Sequence, residues 1–263
     1  YFNSGWNAAG QIPDRAVEDG SIGYFGAIDP NEGGSTAQSN ANVQLVTTLP
    51  NHHILKNQVY YTVYDFELFS NFTFFKNDPV NGDQIRQKEH RNLFGYNGSY
   101  TATGYLGNAM VTSEAGINLR MDRTHNSELS STVDRNTTAA HMMLGHISET
   151  NAAAYLNESI RLSPRFTASA GLRYDYFFNK YQDVLEDDHI DKARAGILSP
   201  KLNLQYNFNN NTQLYLSGGK GFHSNDTRVA VAQNGREVLP AAYGADAGVV
   251  LKPVKNLFIN TAL

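Results

Sequence analysis

His141, Met142, Met143 and His146 place imidazole and thioether groups together, the donor types that suit copper and other soft ions. On a strand, His141 and Met143 would share a face and His146 would oppose them, which divides the cluster. Ordinary strand packing is the competing explanation for the same residues. Asp183, Glu186, Asp187, Asp188 and Asp191 form an acidic run able to hold Ca²⁺, without the regular spacing of an EF-hand loop. A solvated loop explains them equally simply. Trp6, Arg15, Tyr24, Phe25, His223 and Arg228 are aromatics and cations in long connections, where an anionic or aromatic ligand would find ion pairs and stacking surfaces. Rings that fold a long loop onto itself are the alternative.

Covalent chemistry has little to work with. The chain has no cysteine, which excludes a thiol nucleophile, a disulfide and a cysteine-bound metal within it. There is no Gly-x-Ser-x-Gly elbow. Gly218-Gly219-Lys220-Gly221 lacks phosphate-loop spacing and no helical pattern follows it. No enzyme activity and no cofactor are expected. A net charge of -4 and the absence of a basic stripe with interleaved aromatics argue against nucleic-acid binding.

The elements that must position these groups read as strands. Phe166, Ala168, Ala170, Leu172, Tyr174, Tyr176 and Phe178 alternate with Thr167, Ser169, Gly171, Arg173 and Asp175, giving one apolar and one polar face. Val111 to Met121 oppose Thr112, Glu114, Gly116, Asn118, Arg120 and Asp122 in the same way. Leu202, Leu204, Tyr206 and Phe208 oppose Lys201, Asn203, Gln205 and Asn207, and Phe94, Tyr96 and Tyr100 oppose Arg91, Asn97 and Thr101. Tyr60, Tyr64, Phe66 and Leu68 form the apolar set of an earlier strand, against Asp65 and Glu67. From Asn151 to Arg161 the phase is ambiguous, because Glu158 falls among Leu156 and Ile160. About ten strands are expected, roughly 37–49, 56–75, 88–106, 109–124, 144–162, 165–180, 195–208, 212–222, 241–252 and 257–263, with ends uncertain by about 2–4 residues.

The connections fall into two kinds that strictly alternate. Short ones carry Gly, Pro, Asn or Ser (Leu49–His52, Leu106–Asn108, Leu162–Arg165, Asn207–Thr212, Pro253–Asn256). Long ones are Tyr1–Ser35, Lys76–Gln87, His125–Ala140, Tyr181–Arg194 and His223–Pro240. In an up-and-down sheet, alternate connections lie at opposite ends, so one end holds tight turns and the other long loops. That asymmetry, with aromatic outer faces, describes an antiparallel transmembrane β-barrel with short periplasmic turns and long extracellular loops. No stretch approaches the roughly 18 apolar residues of a spanning helix. A soluble β-sandwich or propeller also alternates, but needs neither feature.

Several segments resemble one family. Gly171-Leu172-Arg173-Tyr174-Asp175 follows a Leu-Ser-Pro-Arg turn, and Ser199-Pro200-Lys201-Leu202 opens the next strand. Then come Thr212 to Ser217, Gly221-Phe222-His223-Ser224, Leu239-Pro240 and Asp246-Ala247-Gly248. Upstream, Ser4 to Ala16 and Gly23 to Asp29 look like an extracellular loop. In this order they resemble the C-terminal barrel half of TonB-dependent outer-membrane receptors. The resemblance implies about ten strands of a 22-stranded barrel, with 1–35 an extracellular loop and 36–263 barrel strands and loops. A plug domain and the final strands are expected outside the chain. It further implies uptake of a scarce nutrient, a ferric siderophore foremost, with cobalamin, an oligosaccharide or a metal complex as other cargoes. TonB, outer-membrane lipid and lipopolysaccharide are the implied partners, and the acidic run could bridge to lipopolysaccharide through cations. Glu114, Arg120, Arg173, Asp175 and Asp246 would face the lumen, where the resemblance implies plug contact. A passive porin and an adhesive barrel share the same wall pattern.

Overall fold

A computed structural model describes residues 1–8, 11–232 and 238–263. Its strands are β1 (Phe2–Asn7), β2 (Gly33–Thr48), β3 (Ile54–Ser70), β4 (Ile85–Leu106), β5 (Ala109–Val133), β6 (Thr137–Arg161), β7 (Phe166–Asp183), β8 (His189–Asn209), β9 (Thr212–Phe222), β10 (Ala241–Val254) and β11 (Leu257–Ala262). Two short helices, α1 (Asp14–Glu18) and α2 (Thr227–Ala232), lie in the first and last long connections. All strands join one antiparallel sheet in sequence order. Each element pairs with its chain neighbours, as an up-and-down wall requires.

Turn chemistry explains the short-turn end. Gly107 adopts φ +60° in the Gly107-Asn108 hairpin, a left-handed conformation that glycine takes without steric cost. The Ser163 hydroxyl accepts from the Phe166 N–H at 3.1 Å and closes the 162–165 turn. Pro253 falls at a register irregularity between Leu251 and Val254, where a missing donor interrupts no ladder bond. Pro200 likewise sits where the β8–β9 ladder ends, beside the Lys201–Gly219 pair.

The inner face of the sheet is the one that α2 covers. Phe177 and Tyr181 of β7 and Ala193 of β8 pack against Ala230, Val231 and Val238 of the 223–240 connection. Residues paired across a ladder share a face, so the assignment propagates along the registers. Outward on β7 stand Leu172, Tyr174 and Phe178, each about half exposed, while Asp175 is 1% exposed inward. Glu158 points outward with Leu156, near the end of β6, and accepts from the Ser113 hydroxyl at 2.6 Å. A carboxylate close to a strand end costs little, since charge penalties fade toward the membrane interface.

Four expectations need correction. First, 125–140 is no loop: β5 and β6 run 25 residues each, to a turn at 134–136. At about 3.3 Å per residue such a hairpin far exceeds a hydrocarbon core of roughly 30 Å, so it projects beyond the wall. Bulges near His125 and at Met142 shift the alternation and hid the continuation. Likewise β7 extends to Asp183 and β8 resumes at His189, leaving a short turn in place of 181–194. Second, the opening segment read as a loop contains β1, which pairs with β2. Third, Tyr60, Tyr64, Phe66 and Leu68 face inward, because Tyr60 opposes Gly95 and Gly95 opposes Arg120. Val59 and Tyr61 face outward in their place, and β3 carries apolar residues on both sides. Fourth, His141 and Met143 do not share a face. His141 opposes Ser130 and Met143 opposes Leu129, with Met142 as the extra residue between them.

Candidate functional site

A polar belt crosses the inner face from β3 to β7. Asn97 donates to Gln58 at 2.9 Å, Asn118 donates to Asn97 at 2.7 Å, and Arg173 donates to Asn118 at 2.6 Å. Arg173 reaches over β6 because Ala153, between Asn118 and Asp175 in the ladder, leaves room above the sheet. Its guanidinium also grips Asp175 at 2.7 and 2.8 Å, and Asn151 donates to the same carboxylate at 3.3 Å. Higher on the wall, Asp122 receives Arg91 at 2.7 Å and Arg120 at 2.7 Å. Glu114 accepts from the Tyr155 hydroxyl at 2.9 Å. Tyr155 lies over Gly116, where a Cβ would meet its ring at 2.4 Å, so glycine creates the space for the inward tyrosine.

Glu114, Arg120, Arg173 and Asp175 therefore share the inner face, Arg173 and Asp175 within the Asn97–Asn118 chain, Arg120 on Asp122 and Glu114 on Tyr155 as separate groups. Asp246 has the same parity through its pair Ser217, apart from that belt.

Above the belt lies a cleft of about 640 Å³ lined by Tyr64, Phe66, Glu89, Leu129, Met143 and Arg228, among others. It joins rings and an aliphatic floor to charged groups. The 223–240 connection forms one wall, held by its apolar cluster and by a Thr227 to Asn179 hydrogen bond of 3.4 Å. Behind it, a smaller cleft of about 230 Å³ is lined by Arg91, Arg120, Asp122, Glu149 and Asp226–Arg228.

The six loop residues expected to bind ligand are dispersed. Arg228 alone of them lines the larger cleft. Asp226 occupies its guanidinium at 2.8 and 2.9 Å, and this ion pair holds the Asp226 carboxyl below the usual carboxylate range. Trp6, on β1, stands over Gly34 on the inward side. Tyr24 and Phe25 pair edge-to-face at 5.0 Å and are 76% and 91% exposed. Arg15 on α1 and His223 are exposed. Ala9 and Gly10 of the resembling upstream stretch lie outside the described residues, as do 233–237 of the last long connection. Among the described residues no group of three or more His, Cys, Asp or Glu comes together as a metal site would require, so the acidic run is not drawn into a site, and the histidine–methionine set is divided between faces.

Sequence reasoning missed Arg135, at the tip of the β5–β6 hairpin. Its Nη2 donates to the Glu32 carbonyl at 2.7 Å, its backbone N–H donates to Gln84 at 2.9 Å, and its guanidinium lies over the Phe69 ring at 5.3 Å. Asn71 adds bonds to Glu32 at 3.0 Å and Asp29 at 2.8 Å. One arginine thus ties the 8–32 and 71–84 connections to the hairpin. No local signal marked it, because its partners lie 51 to 128 residues away.

The known proteins that share this arrangement agree with one another. The profile described as TonB dependent receptor-like, beta-barrel matches residues 1–257. No curated protein matches. The ferric citrate transporter FecA in its unliganded form superposes with a TM-score of 0.76 at 14% identity, over 91% of this chain and 35% of that one. The ferric-catecholate import receptor Fiu from K12 E. coli gives 0.70 at 10% identity, over 99% and 47%. The copper transporter OprC gives 0.60 at 12% identity, over 85% and 40%. The chain spans less than half the length of each of these structures. At such identities the superpositions show the fold, and the profile, which spans nearly the whole chain, shows the family: the chain belongs to the TonB-dependent receptors, as part of their β-barrel domain.

Proposed function

We propose that the chain forms part of the wall of an outer-membrane receptor that captures a scarce nutrient, a ferric siderophore, and admits it with energy delivered through TonB. The observation that carries this reading is the two-sided wall. An apolar outer face backs a polar belt on the inner face, and the belt ends beneath a cleft that a long connection partly covers. The inner face offers Arg173, Arg120 and Glu114 to a plug seated within the barrel, with Asp175 buried beneath Arg173 and orienting it. The cleft offers aromatic rings to a chelate, beside the Arg228–Asp226 ion pair and Lys88. The barrel performs no covalent step; it binds, positions and excludes. The iron-complex names of FecA and Fiu support an iron chelate, and the name of OprC makes copper the competing cargo.

The test is uptake by cells carrying the complete receptor as their sole route for a given chelate. Saturable uptake of labelled ferric siderophore that disappears when TonB is deleted is the expected outcome. Uptake that persists without TonB would replace the reading with a passive pore, and TonB-dependent uptake of copper alone would change the cargo.

A further inference from the structure

The outer face carries a patch of cations that no ion pair neutralises among the described residues. Lys180 on β7 directly opposes Lys192 on β8, and Arg194 follows two residues along β8 on the same face. Arg123 stands in the same ladder row, through Arg123–Ser148 and Ser148–Lys180. Ladder partners are about 4.8 Å apart, so the four cations lie within reach of one polyanionic headgroup. Arg123, Lys192 and Arg194 are exposed and Lys180 is partly so. Acidic residues of this side are bonded to other partners: Asp65 holds His90 at 2.6 Å, Glu67 lies 3.9 Å from Lys88, Glu158 accepts from Ser113 and Asp188 accepts from Gln182 at 3.2 Å. None of the four cations forms an ion pair among the described residues. Like charges set directly opposite on neighbouring strands destabilise a sheet unless an anion joins them.

Depth along the wall says where that anion comes from. Arg123 lies 14 residues beyond the start of β5, Lys180 14 beyond the start of β7, and Arg194 15 before the end of β8, all counted from the short-turn end. Below Arg123, Lys180 and Lys192 the outer face turns apolar, with Met121, Phe178 and Leu198 all exposed, and Arg194 stands directly opposite Phe178. Arg123, Lys180 and Lys192 therefore top the apolar band and Arg194 marks its upper edge, on the side of the long connections. In an outer membrane that level holds lipid headgroups rather than acyl chains.

We infer that Lys180, Lys192 and Arg194, with Arg123 beside them, bind the phosphates of lipopolysaccharide in the outer leaflet. This rests on the outer-membrane reading above. A phosphorylated glycolipid has its anions at the acyl boundary, so its chains would lie on Met121, Phe178 and Leu198 while its phosphates meet the cations.

The experiment uses the complete receptor, purified in detergent and stripped of lipid, with lipid A binding read by native mass spectrometry. Bisphosphorylated lipid A is compared with its dephosphorylated form and with phosphatidylglycerol. Near a membrane surface each cation contributes about a fivefold gain in anionic lipid binding, so the triple variant Lys180→Gln, Lys192→Gln, Arg194→Gln is expected to bind on the order of 100-fold more weakly. A control variant, Arg165→Gln, Lys252→Gln, Lys255→Gln, removes as much charge near the short-turn end and leaves binding unchanged. If the triple variant fails to assemble, Lys192→Gln alone should lose about fivefold and Lys192→Arg should restore it. Undiminished binding by the triple variant, equal binding of dephosphorylated lipid A, or equal binding of phosphatidylglycerol each overturns the inference. Membrane fractionation of the same cells tests the location separately, because the binding measurement in detergent does not depend on it.

Discussion

Leu172 and Thr167 occupy opposite faces of β7, so one substitution type placed at each reads the orientation of the wall. Leu172 lies midway up the apolar band. Leu172→Arg should cost the assembled receptor about 2–4 kcal/mol in a lipid-supported unfolding titration, and Thr167→Arg much less. Equal costs would mean that the strand phase is wrong. Arg173 offers an independent check of the inner face. Asp175 is 1% exposed, and Arg173 supplies two of its hydrogen bonds. Arg173→Met leaves that carboxylate buried with only the 3.3 Å contact from Asn151, and should destabilise by about 1–3 kcal/mol in the same titration. Arg173 was legible in the sequence as an inward polar residue, since parity alone gives its direction. Its bond to Asn118 was not, because that bond requires the small Ala153 on the strand between them.

At the scale of elements, the 71–84 connection is organised by two aspartates. Asp83 accepts from the Thr73 hydroxyl at 2.7 Å and from backbone N–H groups of Asn77 and Asp78, while Asp78 accepts from Val80 and Asn81 at 2.9 Å. These bonds hold both carboxyls below their ordinary value of 3.8. Groups with folded values below their unfolded ones stabilise at neutral pH, and that contribution is lost as pH falls through the folded values. Amide exchange within 71–84 should therefore accelerate below about pH 4 while the wall stays protected, and Asp83→Asn should reproduce the effect at neutral pH. The β5–β6 hairpin makes a separate prediction. Arg135→Ala removes the guanidinium bonds to the Asn31 and Glu32 carbonyls and leaves the backbone bond to Gln84, so limited proteolysis should cut the 8–32 connection faster with the barrel intact. That hairpin was misread as a loop for a physical reason. Period-two counting assumes one residue per ladder step, and each bulge inserts one more.

For the whole molecule, the outer face implies a band of definite height. About 12 residues separate the short-turn end from Met121 on β5 and from Phe178 on β7. At about 3.3 Å per residue and a tilt of about 40°, these cover roughly 30 Å, the thickness of a hydrocarbon core. The chain contributes no cysteine, so single cysteines can map this band in the assembled receptor. A water-soluble maleimide should spare Leu172→Cys, Tyr174→Cys and Leu198→Cys in membranes and label them after unfolding. Lys192→Cys, one outward row above the band, should label in both states. Labelling of Leu172→Cys as fast as Lys192→Cys would place the membrane elsewhere.

The sequence by itself determined most of the strand plan, the outward set on most strands and the tight turns at one end of the sheet. Each depends on residues close together in the chain, through side-chain parity and turn conformation. The order of motifs was enough to indicate the family. The tertiary structure alone decided the inward placement of Tyr60, Tyr64 and Phe66, the separation of His141 from Met143, the length of the β5–β6 hairpin and the covering of the upper inner face by α2. Those depend on which residue stands opposite which across neighbouring strands, and on a connection folding back over the wall. The unpaired cations of β5, β7 and β8 belong to the same class, since residues up to 71 positions apart meet on one face only after the sheet has set its register.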